Sequence, residues 1–387
     1  MSAGGEPGSG MPLAALAGIT ASVAVFGVAQ GLSYPLFTFL MQKQGMSAGA
    51  IGVSAAMTPL GLMASSLFVP ALVRLFGARG LAVGSALSAA LLFLFIGMTQ
   101  NWFAWYPARF LIGLAVNPLY ILGEVWLIAL APPARRGRLL GIFNAVTGAG
   151  YASGPLTLAV LGSEGWPPFM VGIVGFTGCA AILYLAARRF DRLDDGSHHG
   201  GALHFWLVAP TLLLAVTVAA ATQQSMYSLL PVFGMGYALG EATIATLISV
   251  MSVGNIVLQI PLGVLAERFG GRRMILVCAA TNMTGALLLP LIVTTPLQWP
   301  VLLVMGGVGY GVYTMALVEL GSRFSGSALV AGNAAFGLMW GTGGIIGPPG
   351  SGLLMQAIGP AGLPVVVVTL SIILIVFSLA RSLMRRP

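Results

Sequence analysis

The sequence has very few charged residues. Only 7% of its 387 residues are Asp, Glu, Lys or Arg, whereas 58% are hydrophobic. A soluble domain carries about 25% charged residues, so a water-soluble globular protein is excluded. The apolar side chains must face lipid, and the bilayer is the first partner that the sequence predicts.

Residues that ligate metals or carry out enzyme chemistry are also scarce. The two cysteines, Cys179 and Cys278, lie in apolar runs, and the His198–His199 pair lies in a hydrophilic stretch. These residues have neither a disulfide nor a metal-ligand spacing, and no catalytic set or nucleotide-binding glycine loop is present. We therefore expect no enzyme activity, no metal and no cofactor.

Long apolar runs are what the sequence does contain. Twelve of them are long enough to span a bilayer, at about 12–40, 50–73, 80–98, 103–130, 139–161, 168–187, 205–233, 243–265, 274–294, 300–320, 329–357 and 362–381. They predict an all-α integral membrane protein with two six-helix bundles, 12–187 and 205–381. A linker at 188–204 joins the bundles, and tails occupy 1–11 and 382–387. Prolines bend spans, so candidate kinks lie at Pro35, Pro118 and Pro231.

The basic residues are distributed unequally between the two sides of the membrane. With both termini placed in the cytoplasm, fifteen of the seventeen Lys and Arg residues fall in cytoplasmic loops and the C-terminal tail. Lys43 is the only one in an outer loop, and Arg109 lies inside a span. This asymmetry predicts a bacterial inner-membrane protein with cytoplasmic termini. The same clustering argues against a nucleic-acid partner, despite the net charge of +8.

The two halves repeat at one offset. Sliding the chain by 193 residues pairs Gln30 with Gln223, Tyr34 with Tyr227, Gly77 with Gly270, Arg79 with Arg272, Tyr120 with Tyr313, Gly150 with Gly343, Gly154 with Gly347 and Pro155 with Pro348. Coincidences among Gln, Tyr, Pro and Arg are harder to obtain by chance than matches of Leu and Ala. A parallel duplication of a six-helix unit explains them and predicts a cavity between the halves.

A loop between the eighth and ninth spans carries the sharpest motif. It resembles the loop signature of the major facilitator superfamily, G-x-x-x-D-R-x-G-R-R, with Glu in the acid position; its residues are Gly263, Glu267, Arg268, Gly270, Arg272 and Arg273. An acid there can pair with basic side chains or a helix N-terminus, which predicts a gating latch between helices. Alternatively, the arginines only obey the positive-inside rule. The first-half copy keeps Arg74, Gly77 and Arg79 but has Arg74 at the acid position.

Three charged residues fall inside predicted spans and are candidates for proton coupling. Arg109 opens an R-x-x-x-G pattern, which the resemblance links to proton transfer; alternatively it snorkels to the headgroups. Glu124 is the strongest candidate, because a carboxyl in a low-dielectric site can exchange a proton near neutral pH; alternatively it joins a packing network with Asn144 or a loop arginine. Glu319 is weaker, since Arg323 one turn later can pair with it.

Two G-x-x-x-G-P elements occupy the fifth and eleventh spans. They comprise Gly150, Gly154 and Pro155 in the first half, and Gly343, Gly347 and Pro348 in the second. This spacing lets helices pack closely. The first copy also resembles the antiporter motif of the superfamily, which favours export.

Polar side chains inside the spans are candidates for a substrate cavity. Gln30 and Tyr34 lie one helical turn apart, as do Gln223 and Tyr227, so each pair presents an amide and a phenol on one helix face. Asn117, Tyr120, Asn255, Gln259, Tyr313 and Trp340 complete the candidate set. Alternatively these residues form hydrogen bonds between helices.

Nearly the whole chain resembles the short bacterial YcaD-type branch of the superfamily, through stretches such as Glu124–Leu127, Gln259–Gly263 and Gly306–Tyr313. The resemblance implies a monomeric secondary transporter that works by alternating access on a small-molecule substrate. We expect proton-coupled efflux of an amphipathic or drug-like compound. Uptake or facilitated passage of a small polar metabolite is the first alternative, and a non-transporting sensor or assembly partner is the second.

Overall fold

A computed structural model describes residues 13–99, 101–130, 136–186 and 205–384. Within these ranges the elements are helices: α1 Leu13–Lys43, α2 Ala48–Met98, α3 Trp102–Leu130, α4 Arg136–Leu161, α5 Pro167–Ala186, α6 Phe205–Val208, α7 Pro210–Gly236, α8 Glu241–Val257, α9 Gln259–Phe269, α10 Gly271–Ile292, α11 Gln298–Arg323, α12 Gly326–Ile358 and α13 Gly362–Met384. The predicted tail 1–11 and linker 188–204 lie outside the described residues. The predicted C-terminal tail is described only up to Met384, which ends α13.

The prediction of twelve membrane-spanning helices is confirmed. Helix α2 contains two spans, separated at Gly77, whose φ of 70° and ψ of 156° are not helical. Helices α8 and α9 form one span, bent by 42° at Leu258. The helix is thus interrupted between two spans at Gly77 and bends within one span at Leu258. The candidate kink prolines Pro35, Pro118 and Pro231 lie within the continuous helices α1, α3 and α7.

The repeat predicted from the sequence is visible in the backbone and in matching hydrogen bonds. Gly270 has a φ of 83°, in the same left-handed region as Gly77, which a side chain would strain. Arg79 donates from Nη2 to the carbonyl oxygen of Tyr184 at 2.8 Å. Its counterpart Arg272 donates to the carbonyl oxygen of Ser378 at 3.2 Å. Each arginine thus ties the third helix of its half to the sixth.

The glycines of the G-x-x-x-G-P elements bring paired helices together. A Cβ on Gly150 or Gly154 of α4 would meet the backbone of α1, and one on Gly343 or Gly347 of α12 would meet the backbone of α7. The same helix pairs, α1 with α4 and α7 with α12, make extensive contacts. Close packing of this kind lets dispersion and weak hydrogen bonds hold helices together in lipid.

The two halves meet chiefly through α2 with α12 and α4 with α8, and also through α1 with α7 and α2 with α7. Thr38 donates to the carbonyl oxygen of Ser228 at 2.7 Å, and Gly52 leaves no room for a side chain beside the backbone of Pro348. We call the end of the bundle that contains Lys43 and Glu241 the Lys43 end, and the opposite end the Gly77 end. The contacts just described lie toward the Lys43 end.

Candidate transport site

An aromatic cluster lines the middle of the second half. Tyr310 and Tyr313 lie one turn apart on α11, with ring centroids 5.3 Å apart. Trp340 of α12 contacts both, at 5.7 Å from Tyr310 and 5.0 Å from Tyr313. Because the three rings are half-buried, they border accessible space and offer flat apolar surfaces to a ligand.

The first half contributes Tyr120 and Glu124 of α3 to the same region. Tyr120 packs against Phe26 and Phe143, with centroids 6.2 Å away in each case. It interacts electrostatically with Tyr313 across the interface, and Glu124 interacts with both phenols. Glu124 is half-buried, and no ion pair to it is found among the described side chains. No hydrogen bond joins it to Asn144 there, and the side chains of the loop arginines Arg135, Arg136 and Arg138, the other part of that alternative, lie outside those described.

Tyr151 lies at the centre of this region and was missed as a cavity residue. It interacts electrostatically with Tyr34 and Tyr120 of its own half, and with Tyr227 and Tyr310 of the other. Its ring packs edge-on against Phe26 of α1, with centroids 6.2 Å apart. Tyr310 was missed too, although it lies one turn before Tyr313.

The Gln and Tyr pairs of α1 and α7 point into the protein. Gln30, Tyr34 and Gln223 are buried, and Tyr227 is half-buried. The Tyr34 hydroxyl lies near the Gln224 side chain of the other half, whereas the Tyr227 hydroxyl bonds to Ser252 Oγ at 2.7 Å. None of the four is turned toward lipid.

Three other cavity candidates form hydrogen bonds within their own half. Asn117 donates to the carbonyl oxygen of Leu62 at 3.1 Å and to Ser66 Oγ at 3.0 Å. Gln259 donates to Asn255 Oδ1 and to the carbonyl oxygen of Gly307, both at 3.3 Å, and accepts from Thr314 Oγ1 at 2.6 Å. Asn117 and Gln259 therefore make the inter-helix bonds of the alternative interpretation, whereas the bond of Asn255 lies within its own span.

Arg109 is buried inside the first half, with 1% of its surface exposed. This contradicts the alternative that it snorkels to the headgroups. Its guanidinium donates to Ser54 Oγ at 3.3 Å, lies 5.1 Å from the ring centroid of Phe37 and interacts electrostatically with Tyr34 and Tyr106. Among the described residues it has no carboxylate partner.

Glu319 and the loop motif lie at the Gly77 end. Glu319 forms an ion pair with Arg323, as the alternative for this residue anticipated. Glu267 and Arg268 are exposed, and neither forms an ion pair with another described residue. Among the described residues, no ion pair of the kind expected for a latch at Glu267 is therefore present. Arg74 and Arg273 are exposed as well, while Arg79 and Arg272 make the carbonyl contacts described above.

A polar cluster closes the Lys43 end across the two halves. The Lys43 ammonium lies 3.1 Å from Glu164 and 2.8 Å from Glu241. It also donates to Ser163 Oγ at 2.9 Å, and Ser163 donates to Glu241 at 2.6 Å. Glu241 begins α8 in the second half, so this cluster joins the halves. We call Lys43, Ser163, Glu164 and Glu241 the outer cluster.

Curated proteins with similar sequences are named as transporters. The chain is 25% identical over 360 residues to YfkF, an uncharacterised MFS-type transporter of Bacillus subtilis, with 88% of each protein covered. It is 24% identical over 266 residues to YcaD, an uncharacterised MFS-type transporter of Salmonella newport, covering 67% of this chain and 68% of YcaD.

Solved structures share the fold. The nucleoside transporter NupG matches with a TM-score of 0.74 and 12% identity, covering 97% of this chain and 99% of NupG. A bacterial homologue of the human lysosomal transporter Spinster, in an inward-facing and unoccupied conformation, matches with a TM-score of 0.76 and 14% identity, covering 97% and 96%. The sequence profile of the Major Facilitator Superfamily matches residues 19–325 and 212–387. The chain therefore belongs to the major facilitator superfamily.

Proposed function

We propose that this secondary transporter exports amphipathic, drug-like compounds in exchange for protons. The single observation that carries this proposal is the position of Glu124. Its carboxyl is half-buried, has no ion-pair partner among the described side chains and interacts with Tyr120 and Tyr313, one from each half. A carboxyl placed in this way can hold a proton in one conformation and release it in another.

The proton gradient supplies enough free energy for this exchange. A proton that crosses a potential of 100 mV releases about 2.3 kcal/mol, which is enough for modest extrusion of a solute. Protonation of Glu124 removes a carboxylate charge from an aromatic surface, which lowers the cost of closing that surface against the other half. Proton binding therefore favours closure, and proton release favours reopening.

The chemical surface favours amphipathic compounds. Ring faces come from Tyr120, Tyr151, Tyr310, Tyr313 and Trp340, and the four tyrosines also supply hydroxyl groups. Glu124 is the only acid beside them in the part of the chain described. Aromatic rings bind flat apolar groups, and a cationic group can interact with both the ring faces and the carboxylate. Flat aromatic cations are therefore the first compounds to test.

We assign the Lys43 end to the outside of a bacterial inner membrane and the Gly77 end to the cytoplasm, with both termini cytoplasmic. The positive-inside distribution supports this orientation. In this orientation the outer cluster closes the periplasmic side, and substrate reaches the aromatic cluster from the cytoplasm. Two bundles, 12–187 and 205–381, would rock about this site in a monomer.

The test is transport in proteoliposomes with an imposed pH gradient and ethidium as the probe. The native protein should move ethidium against its gradient when protons flow the opposite way, and dissipation of the pH gradient should stop net movement. Glu124→Gln should abolish proton-driven movement but keep ethidium counterflow. Glu319→Gln, which loses an ion-paired acid, should change transport less. Proton-driven transport at the native rate by Glu124→Gln would refute the proposal.

Uptake or facilitated passage of a small polar metabolite is the second candidate. Buried polar atoms near the interface support it: within the described residues, Gln30 Oε1 and Thr222 Oγ1 have no hydrogen-bond partner. Such orphaned atoms cost free energy unless a ligand or water satisfies them. A thermal-shift screen with polar metabolites, followed by counterflow with any that bind, would favour this candidate if ethidium fails in both assays.

A further inference from the structure

A narrow recess opens at the Gly77 end of the second half, away from the transport site. It lies between the starts of α7 and α10 and the C-terminal ends of α11 and α13. Three arginines line it: Arg272 of α10, Arg323 of α11 and Arg381 of α13. Among the described residues, one acid accompanies them, Glu319, which is paired with Arg323. Within that part of the chain the three arginines exceed the acids at the recess by two charges.

The wall of this recess also contains an unsatisfied hydroxyl. Ser378 lines the recess and is 2% exposed. Its Oγ has no hydrogen-bond partner among the described residues, although its carbonyl oxygen accepts from Arg272. A buried hydroxyl without a partner is rare and costly. Its position beside three guanidinium groups indicates that an acceptor from outside the chain belongs there.

The backbone adds to the positive field. Helix α7 starts at Pro210, and no side chain caps it at Ala209. Ala209, Pro210 and Thr211 line the recess. The N-terminal end of a 27-residue helix carries a partial positive charge and attracts anions.

The size and surroundings of the recess limit the ligand. Its cavity volume is about 20 Å³, which holds one oxygen-sized group, so the bulk of any ligand must lie outside. Exposed apolar side chains flank it: Leu207 is 77% exposed and Leu383 is 67% exposed. Exposed apolar side chains of this kind can contact the acyl chains of a lipid. A phospholipid fits both the small cavity and the exposed apolar side chains, because its phosphate oxygens enter the recess while its acyl chains lie against the helices.

We propose that Arg272, Arg323, Arg381 and Ser378 form a phosphate-binding site for the headgroup of an anionic phospholipid. Arginines bind phosphate oxygens with charge-assisted hydrogen bonds, and basic recesses between membrane helices bind anionic headgroups. The Ser378 hydroxyl donates to the deepest phosphate oxygen. A bound headgroup bridges α7, α10, α11 and α13, and so holds this side of the second half together.

The first half shows that the repeat alone does not require this site. Arg79 makes the same carbonyl contact as Arg272. At the offset of 193, however, Arg323 and Ser378 correspond to Leu130 and Leu185. The extra arginine and the hydroxyl belong to the second half only, where the recess is found.

The test measures lipid retention by native mass spectrometry of the full-length protein, titrated with phosphatidylglycerol and, separately, with zwitterionic phosphatidylethanolamine. We expect preference for phosphatidylglycerol. Arg381→Gln should weaken its binding about fivefold, and Ser378→Ala about twofold to tenfold. Arg74→Gln is the matched control, because it removes an exposed arginine from the same end of the other half and should not change lipid binding.

A second arm uses inorganic phosphate and thermal unfolding to separate a lipid from a free ion. If phosphate raises Tm in the native protein but not in Arg381→Gln, and phosphatidylglycerol shows no preference, the site holds a free phosphate. Ser378→Ala should keep or raise Tm without ligand, because it removes an unsatisfied hydroxyl, so a folding defect would not explain lost binding. The proposal would be overturned if Arg381→Gln and Ser378→Ala bound phosphatidylglycerol and inorganic phosphate as well as the native protein does.

Discussion

At the scale of single residues, two ionisable side chains inside the first half have opposite surroundings. Glu124 faces accessible aromatic space, whereas Arg109 is enclosed by Phe37, Ser54 and neighbouring rings. The Arg109 Nε has no hydrogen-bond partner among the described residues. An unpaired cation in this position lowers stability, so its presence is a sign of function.

We expect Arg109→Met to separate stability from transport. Methionine fills a similar volume without a charge, so the free energy of unfolding should rise by about 1–3 kcal/mol, while proton-driven transport should be lost. Tm is measurable with a thiol-reactive dye, because Cys179 and Cys278 are both buried and react only on unfolding. Arg109→Lys, which keeps the charge, is the control and should not gain stability. A less stable Arg109→Met that still transports would contradict a functional role.

At the scale of helices, the sequence predicts the spans and the repeat well, and the orientation of side chains poorly. Hydropathy locates most of the spans, and the offset of 193 anticipates the matching φ values of Gly77 and Gly270. The bend at Leu258 lies one turn before Pro261, which has no N–H to bond to the carbonyl oxygen of Val257; this proline was not among the candidate kinks. Tyr151 and Tyr310 were missed because the direction of a ring depends on which helix face packs against a neighbour.

The packing glycines of α12 allow a prediction at this scale. A Cβ on Gly343 would meet the backbone of Thr217 and Ala221, whereas one on Gly337 of the same helix would meet nothing within 4 Å. Gly343→Ala should therefore lower the free energy of unfolding by about 1–3 kcal/mol. Gly337→Ala should raise it by about 0.5–1 kcal/mol, because alanine restricts the unfolded chain.

The two variants are compared by thermal unfolding in one detergent. Opposite shifts of Tm are the expected result. Shifts of the same sign would mean that the α7–α12 contact tolerates separation, and that glycine at position 343 is not required for packing.

At the scale of the whole molecule, the outer cluster determines which side is closed. Of the two acids that contact Lys43, only Glu241 belongs to the other half. The Glu241 side chain is 29% exposed and the Glu164 side chain 84%. Ion pairs lose most of their strength in water, so the Lys43–Glu241 pair stabilises closure of the Lys43 end more than the Lys43–Glu164 pair does.

Removing each acid separately tests this difference. Glu241→Gln should weaken closure by about 0.5–1 kcal/mol and increase the open population about twofold to fivefold. Hydrogen–deuterium exchange in segments 41–50 and 237–243 should rise accordingly. Glu164→Gln removes a contact within one half, so exchange there should stay close to native. Lys43→Gln removes both ion pairs and should match Glu241→Gln, whereas a larger effect from Glu164→Gln would mean that the loop, not the bridge between halves, keeps this end closed.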